Sequence, residues 1–245
     1  MPQRLDALTQ WLRSVLNAEN NDDQQTIDFQ LTPASSDASF RRYFRLQLPV
    51  SQQGFSQIPF LKTSSVNSLV VMDAPPDKEE TGPFVRIANL LADINLNAPR
   101  ILAQNTEQGF LLLTDLGVEP YLDVLNEQTA DSLYADALEA LFVMQRDAPC
   151  DTNILPVYDE TLLLREMGLF RDWYCDKYCN ASFSEAQLSE LEACFHQLSD
   201  AALLQPQVFV HRDYHSRNLM RTENNNPGII DFQDAVIGPV TYDLV

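Results

Sequence analysis

The ten residues HRDYHSRNLM, from 211 to 220, hold several side chains that could do chemistry. On an extended strand, His211, Asp213 and His215 would project to one side, as three ligands of a zinc hydrolase do. Asp213 and Asn218 could instead serve phosphoryl transfer, in which a carboxylate accepts the proton of an attacking hydroxyl. The stretch could also simply end a strand, so its meaning depends on the residues that follow.

The residues after this motif predict a hairpin. The short strand NLMR begins at Asn218, a turn rich in Asn, Pro and Gly follows, and GIIDF returns. If 219–221 pair with 228–231, Asn218 and Asp231 lie beside each other at one end of the hairpin. Two neighbouring oxygen donors suit Mg²⁺, which takes one or two protein ligands and completes its shell with water and phosphate oxygens. Asp213 lies on the loop that leads into that end.

The elements around the motif predict an α+β protein in two lobes. Leucines at helical spacing predict an amphipathic helix over 5–16, and strand-like runs with one inserted helix follow. From about residue 130 the pattern is almost wholly helical, until the late hairpin. The order predicts a strand-rich N-lobe over 1–114, a hinge over 115–117 and a helical C-lobe over 118–245.

Composition and charge restrict the partners. The chain has 245 residues, with 16 Lys and Arg against 35 Asp and Glu, and a formal net charge of −19. Such a surface repels a polyphosphate backbone, so we expect no nucleic-acid partner. The sequence has neither a secretory signal pattern nor an apolar run long enough to span a bilayer, so we expect a cytoplasmic protein without a membrane partner. It predicts no oligomeric state.

The combination H-x-D-x-x-x-x-N, a hairpin and a strand-ending Asp-Phe resembles the catalytic and metal-binding loops of the protein-kinase-like fold. Only FQDAVI separates Asp231 from Gly238, which favours a small-molecule acceptor over a protein. From about residue 35 onward the chain is similar to the family of aminoglycoside phosphotransferases and choline kinases. Within it, SDASFRRYFRL, VVMDAPPDKE, FLLLTDLG and GIIDFQDAVIGPVTYDL are most similar to the bacterial anomeric sugar kinases of N-acetylmuramate and N-acetylglucosamine.

This resemblance implies an ATP- and Mg²⁺-dependent kinase that phosphorylates the anomeric hydroxyl of a cell-wall sugar during its recycling. By position, Asp213 would be the catalytic base, and Asn218 and Asp231 would hold Mg²⁺. The backbone of Thr114, Asp115 and Leu116 would be the hinge that faces adenine. Members of the family continue into further helices, so we expect the C-lobe to be incomplete at Val245.

The sequence departs from the kinase pattern at two places. Small polar residues, Ser35, Ser36 and Ser39, stand where a Gly-rich loop would cover the phosphates. The third strand has no lysine. Strand alternation offers a substitute, because Arg42 would share an inward face with two phenylalanines and would be costly there without an anion. We therefore expect Arg42 to bind phosphate, with Arg41 as the second candidate; solvated surface positions are the alternative for both.

Other residues of the motif have supporting or substrate roles in this interpretation. His211 would orient the loop, and Arg212 would pair with a carboxylate such as Asp243. Asp234 would bind sugar hydroxyls, and Arg217 would contact phosphate or substrate. Three other functions stay open: an aminoglycoside or other small-molecule phosphotransferase, a non-catalytic nucleotide-binding fragment, and a zinc hydrolase.

Overall fold

The computed structural model describes residues 2–18, 28–36, 40–47 and 68–244. It divides into two compact units: unit 1 is Met1–Ala137 with Ser216–Gln233, and unit 2 is Leu138–His215 with Asp234–Val245. Both units contain helices and strands, which confirms the α+β class. The division does not follow the predicted hinge at 115–117, and the lobe boundaries stay a prediction.

Unit 1 is built on an antiparallel sheet of five strands in the order β1-β2-β3-β5-β4. Its strands are β1 (Gln30–Ser36), β2 (Arg42–Gln47), β3 (Ser68–Asp73), β4 (Ile101–Asn105) and β5 (Phe110–Thr114). Strands β4 and β5 pair as a hairpin, in which Gln104 lies opposite Leu111.

Helix α1 (Pro2–Ala18) covers one face of this sheet. Its leucines at helical spacing pack against alternate residues of the strands, and this cluster has no exposed surface at Leu8, Leu12, Leu16, Leu46, Leu69, Val71 and Leu112. Because successive strand residues point to opposite faces, the residues between these face away from α1. The same packing therefore decides which side chains of β2 and β3 reach the other face.

The other elements of unit 1 are short. Helix α2 (Gly82–Asp93) begins with a proline in its first turn and ends before Asn95, whose φ of 61° is left-handed. Helix α3 (Tyr121–Val124) precedes the predicted late hairpin, β7 (Leu219–Met220) and β8 (Gly228–Ile229), which pair antiparallel. The paired residues confirm the predicted hairpin, although the ladder is shorter than the sequence indicates.

Unit 2 is mainly helical. Helix α4 (Ala130–Asp147) leads into it, and α5 (Glu160–Leu169), a π-helical segment (Phe170–Tyr178) and α6 (Glu185–Leu203) follow. Ser184 and Gln187 form a capping box at the start of α6, as their spacing predicts. Strands β6 (Gln207–Val210) and β9 (Val236–Pro239) pair, and a 3₁₀ turn covers Tyr242–Leu244. In the described part of the chain, every helix is too short or too polar to cross a bilayer.

Candidate active site

A cavity of about 430 Å³ lies in unit 1, on the sheet face away from α1. Its volume lies in the range typical of small-molecule sites. Tyr43 and Arg45 of β2 line it, together with Val70 of β3 and Leu113 of β5. Arg45 lies opposite Val70, and Val70 opposite Leu113, so these three residues form one row across the sheet.

The segment that leaves β5, Thr114 to Val118, also lines the cavity. The predicted hinge residues Thr114, Asp115 and Leu116 therefore all line the cavity. Among the described residues, the backbone N–H and C=O of Leu116 make no hydrogen bond. An unpaired donor and acceptor beside apolar side chains suit the edge of a planar polar ring.

The hairpin supplies Asn218, Met220, Ile230 and Asp231 to the same cavity. Asn218 Nδ2 lies 3.4 Å from Asp231 Oδ2, and Gln233 Nε2 donates a 2.8 Å hydrogen bond to Asp231 Oδ1. The prediction that Asn218 and Asp231 lie side by side is thus confirmed. Asp231 has a φ of 64°, a left-handed conformation that is uncommon for aspartate and that occurs disproportionately at functional sites.

Other groups hold the hairpin at this position. Asn226, in its turn, donates hydrogen bonds of 2.6 Å to the hydroxyl of Tyr121 and 2.7 Å to Asp136. Burial and the negative charge of Asp136 raise the pKa of Tyr121 to about 12. A Cβ on Gly228 would lie 3.0 Å from the Leu116 side chain and 3.2 Å from Met220. Glycine therefore permits the close approach of the hairpin to the segment that leaves β5.

Arg42 of β2 lies on the face of the sheet opposite to the one that we predicted. Arg42 lies on the α1 face, where its Nε donates a 3.1 Å hydrogen bond to the fully buried Asp73, and Arg4 binds the other oxygen of that carboxylate. The assumption that Arg42 faces the nucleotide side is corrected, because the leucines of α1 occupy the Arg42 face and leave the Tyr43 face to the cavity. Its role as a phosphate ligand stays an untested prediction.

The structure describes the positions of some, but not all, of the other residues predicted to contact phosphate. Arg41 pairs with Glu79 at 3.0 Å and does not line the cavity. Ser35 and Ser36 end β1, and Ser39 lies outside the described residues. Arg217, by contrast, lines the cavity beside Asn218, and no ion pair is found for it within the described ranges.

The loop that carries Asp213 belongs to unit 2 and is held from within that unit. Asp243, which is buried, accepts backbone N–H hydrogen bonds from His211 at 2.7 Å and Arg212 at 3.0 Å. Buried His211 accepts the Asp213 N–H at Nδ1, 3.3 Å away. Asp213 itself is exposed to solvent.

The predicted Arg212–Asp243 pair forms through the backbone of Arg212 and not through its guanidinium. That guanidinium pairs with Glu166 of α5, which also accepts a hydrogen bond from the Tyr158 hydroxyl. Arg212 has a φ of 78°, so the loop is left-handed at this residue. Burial, Glu166 and Tyr242 raise the pKa of Tyr158, which therefore stays a hydrogen-bond donor at neutral pH.

The sequence analysis did not identify two residues of the site, Arg45 and Glu166. Arg45 carried a usable signal, because it shares the alternation of Tyr43, but nothing in the sequence indicated which face is the cavity face. Glu166 lies in a helix remote in sequence from Arg212, and no local pattern connects them. The zinc alternative gains no support: no group of three or more His, Cys, Asp or Glu able to hold a metal occurs in the part of the chain that the structure describes.

The chain belongs to the phosphotransferase enzyme family, whose sequence model matches residues 30–245. It is 47% identical over 246 residues to an N-acetylmuramate/N-acetylglucosamine kinase of Pseudomonas putida, covering 98% of this chain and 66% of the relative. It is 49% identical over 215 residues to the kinase of the same name from Pseudomonas aeruginosa, covering 88% of this chain and 58% of that relative. The chain thus spans less than two thirds of either relative.

The fold resembles that of solved aminoglycoside phosphotransferases. The ternary complex of APH(2″)-IIa with streptomycin and ATP matches with a TM-score of 0.57 and 18% identity, covering 95% of this chain and 73% of that chain. At this identity the similarity shows the fold alone, which confirms the predicted kinase-like architecture.

Proposed function

We propose that this chain carries the ATP- and Mg²⁺-dependent kinase activity that phosphorylates the anomeric hydroxyl of N-acetylmuramate or N-acetylglucosamine, in cell-wall sugar recycling. The observation that carries the proposal is one cavity lined by two chemically different sets of groups. The unpaired backbone groups of Leu116 and the Asn218–Asp231 pair both line this cavity. The names of the relatives, which are 47% and 49% identical, support the choice of sugar.

The donor set fits Mg²⁺. Asn218 and Asp231 offer amide and carboxylate oxygens from adjacent strand ends, and hard divalent cations prefer such oxygens. Mg²⁺ bound there would neutralise charge on the transferred phosphoryl group. Arg217 is exposed beside Asn218 and would contribute a further positive charge toward phosphate oxygens.

The nucleotide would lie with its base toward Thr114, Asp115 and Leu116 and its phosphates toward the hairpin. Val70, Leu113 and Met220 offer apolar surface to the faces of a base. Ser35 and Ser36, at the end of β1, together with Ser39 are the proposed cover of the phosphates. The free backbone groups of Leu116 would bind the edge of the base.

The acceptor side of the proposal depends on Asp213. Its carboxylate would accept the proton of the sugar hydroxyl as the hydroxyl oxygen attacks the terminal phosphorus of ATP, whose bond to the ADP leaving group breaks. The hydrogen bonds from the loop backbone to Asp243, together with the Glu166–Arg212 pair, would orient that carboxylate. Asp234, which is exposed, is the proposed contact of the remaining sugar hydroxyls.

The experiment is phosphorylation by the purified chain with ATP, Mg²⁺ and a panel of acceptors. N-acetylmuramate and N-acetylglucosamine should be consumed, their reducing ends should disappear, and ³¹P NMR should show a phosphate coupled to the anomeric proton. The methyl glycoside of N-acetylglucosamine, whose anomeric hydroxyl is blocked, is the matched control and should not react. Phosphorylation of that glycoside would contradict the anomeric assignment.

Aminoglycoside phosphorylation is the second candidate, favoured by the net charge of −19 and by the fold similarity. A polycationic acceptor suits an acidic surface. Turnover of kanamycin without turnover of the two N-acetylated sugars would replace the sugar proposal. A third possibility, nucleotide binding without catalysis, would be indicated by ATP binding with no product from any acceptor.

A further inference from the structure

A largely buried polar cluster lies in the wall of the cavity, at the start of the segment that leaves β5. Arg45 Nε and Nη2 donate to the two oxygens of Asp115 at 2.6 and 3.2 Å. The Ser68 hydroxyl donates to the same carboxylate at 2.6 Å. These three residues, from β2, β3 and the segment after β5, are called the Asp115 cluster below.

The Asp115 cluster is largely buried and differs in this from a surface ion pair. Asp115 is 4% exposed, and the Arg45 side chain is 19% exposed. Burial acts to raise the pKa of Asp115, but hydrogen bonds from Arg45, Ser68 and Gly117 outweigh it and hold the pKa below its ordinary value. The carboxylate is therefore ionised at neutral pH, and bidentate pairing holds it in one orientation.

The cluster also binds both polar groups of Gly117. The Gly117 N–H donates to Asp115 Oδ1 at 2.9 Å, and Arg45 Nη2 donates to the Gly117 C=O at 2.9 Å. Gly117 has a φ of 99°, which side-chain-bearing residues rarely adopt. The peptide planes on either side of Gly117 are thus held by the side chains of Asp115 and Arg45.

The hydrogen bond from the Gly117 N–H to Asp115 fixes the orientation of the peptide group between Leu116 and Gly117. In a trans peptide the N–H and C=O point in opposite directions, so a Gly117 N–H directed at Asp115 turns the Leu116 C=O away from that carboxylate. Leu116 lines the cavity. Adenine carries an amino donor at the position where guanine carries a carbonyl acceptor. A peptide group held in one orientation can form a hydrogen bond with the donor or with the acceptor at this position of the purine, but not with both.

We propose that Arg45, Ser68 and Asp115 are positioning residues that make the cavity select adenine over guanine nucleotides, by holding the Leu116–Gly117 peptide in one orientation. This inference rests on the proposed function, because it requires a nucleotide in this cavity. A site whose hydrogen-bonding groups are held rejects the wrong pattern, since the mismatched groups stay buried and unpaired.

The test is isothermal titration of ATP and of GTP, with Mg²⁺, into the whole chain and its variants. Ser68→Ala and Asp115→Asn remove parts of the cluster and should lower the ratio of ATP affinity to GTP affinity by roughly tenfold or more. A residue that merely supports the fold would weaken both nucleotides alike and leave the ratio unchanged. An unchanged ratio in folded variants would overturn the inference.

Gly117→Ala supplies an independent route if Asp115→Asn fails to fold. A Cβ at Gly117 meets no atom within 4 Å, so the substitution creates no clash, but the φ of 99° strains an alanine and displaces the peptide. It should lower the same ratio with every side chain of the cluster retained. The matched control is Glu119→Gln, which breaks the exposed Glu119–Arg221 pair, 3.5 Å apart and outside the cavity lining. Its ratio should equal that of the wild type.

The outcomes separate this inference from the proposed function. A wild-type chain that binds neither nucleotide contradicts the proposed function itself. A wild-type chain that binds ATP and GTP equally well leaves the kinase proposal standing and contradicts base selection by the Asp115 cluster.

Discussion

Asp213 is the residue whose change should separate chemistry from binding. We predict that Asp213→Asn lowers kcat for the sugar by roughly 10²- to 10⁴-fold, the usual contribution of a general base. Its affinity for ATP, measured by titration, should stay within about twofold, because Asp213 itself does not line the cavity. Asp200→Asn, an exposed position on α6, is the control. Full activity of Asp213→Asn would remove the residue from the mechanism.

Gln233 is a second residue with a specific expected effect. It is 7% exposed and donates the 2.8 Å hydrogen bond to Asp231 Oδ1. Groups that orient a metal-binding carboxylate typically change metal affinity by about 10- to 100-fold when removed. Gln233→Leu should weaken Mn²⁺ binding by that factor, as measured by electron paramagnetic resonance. Gln104→Leu, at an exposed position of β4, should not. Equal Mn²⁺ affinity in both variants would contradict the role.

At the scale of elements, the loop 211–213 and the 3₁₀ turn that carries Asp243 are joined by a titratable contact. Burial raises the pKa of Asp243 to about 6, although the backbone N–H groups of His211 and Arg212 oppose the shift. Between its ordinary value of 3.8 and about 6, the folded chain therefore binds more protons at this residue than the unfolded chain does. The contribution of Asp243 to stability is present at low pH and is lost as pH rises through this window.

This linkage predicts how an uncharged replacement behaves. The difference in unfolding free energy between the wild type and Asp243→Asn should change between about pH 4 and pH 6 and stay constant above pH 7, in favour of the wild type at the acid end. Urea unfolding at four pH values measures it. The comparison with the variant cancels the titration of the other carboxylates. A difference that does not depend on pH would contradict the raised pKa.

At the scale of the whole molecule, the net charge of −19 allows specific and non-specific binding of an acceptor to be distinguished by their salt dependence. Polycationic aminoglycosides should associate with the chain at low ionic strength through its general field. That association should vanish at about 0.3 M salt, where the Debye length falls to several ångströms. Phosphorylation of N-acetylglucosamine should change little over the same range, since this acceptor is neutral. Aminoglycoside binding that persists at high salt would indicate a dedicated site.

Helix α1 extends the described fold beyond the family match, which begins at residue 30. Its leucines cover one sheet face, and this packing leaves Tyr43, Arg45 and Val70 to the cavity face. Alternation along β2 predicted two sets of side chains correctly, but both sets contain arginine and aromatic residues. Hydrophobicity alone therefore could not tell which set faces the helix, and the sequence favoured Arg42 where the cavity contains Arg45.

The sequence by itself determined the features that depend on neighbouring residues. The hairpin that brings Asn218 beside Asp231, the capping box of Ser184 and Gln187, and the order of strands and helices follow from local spacing, because turns, caps and periodicity act over a few residues. Only the tertiary structure decided the contacts between distant segments, such as Arg45 with Asp115 and Glu166 with Arg212. Such pairs depend on which faces pack together, and no local pattern encodes that choice.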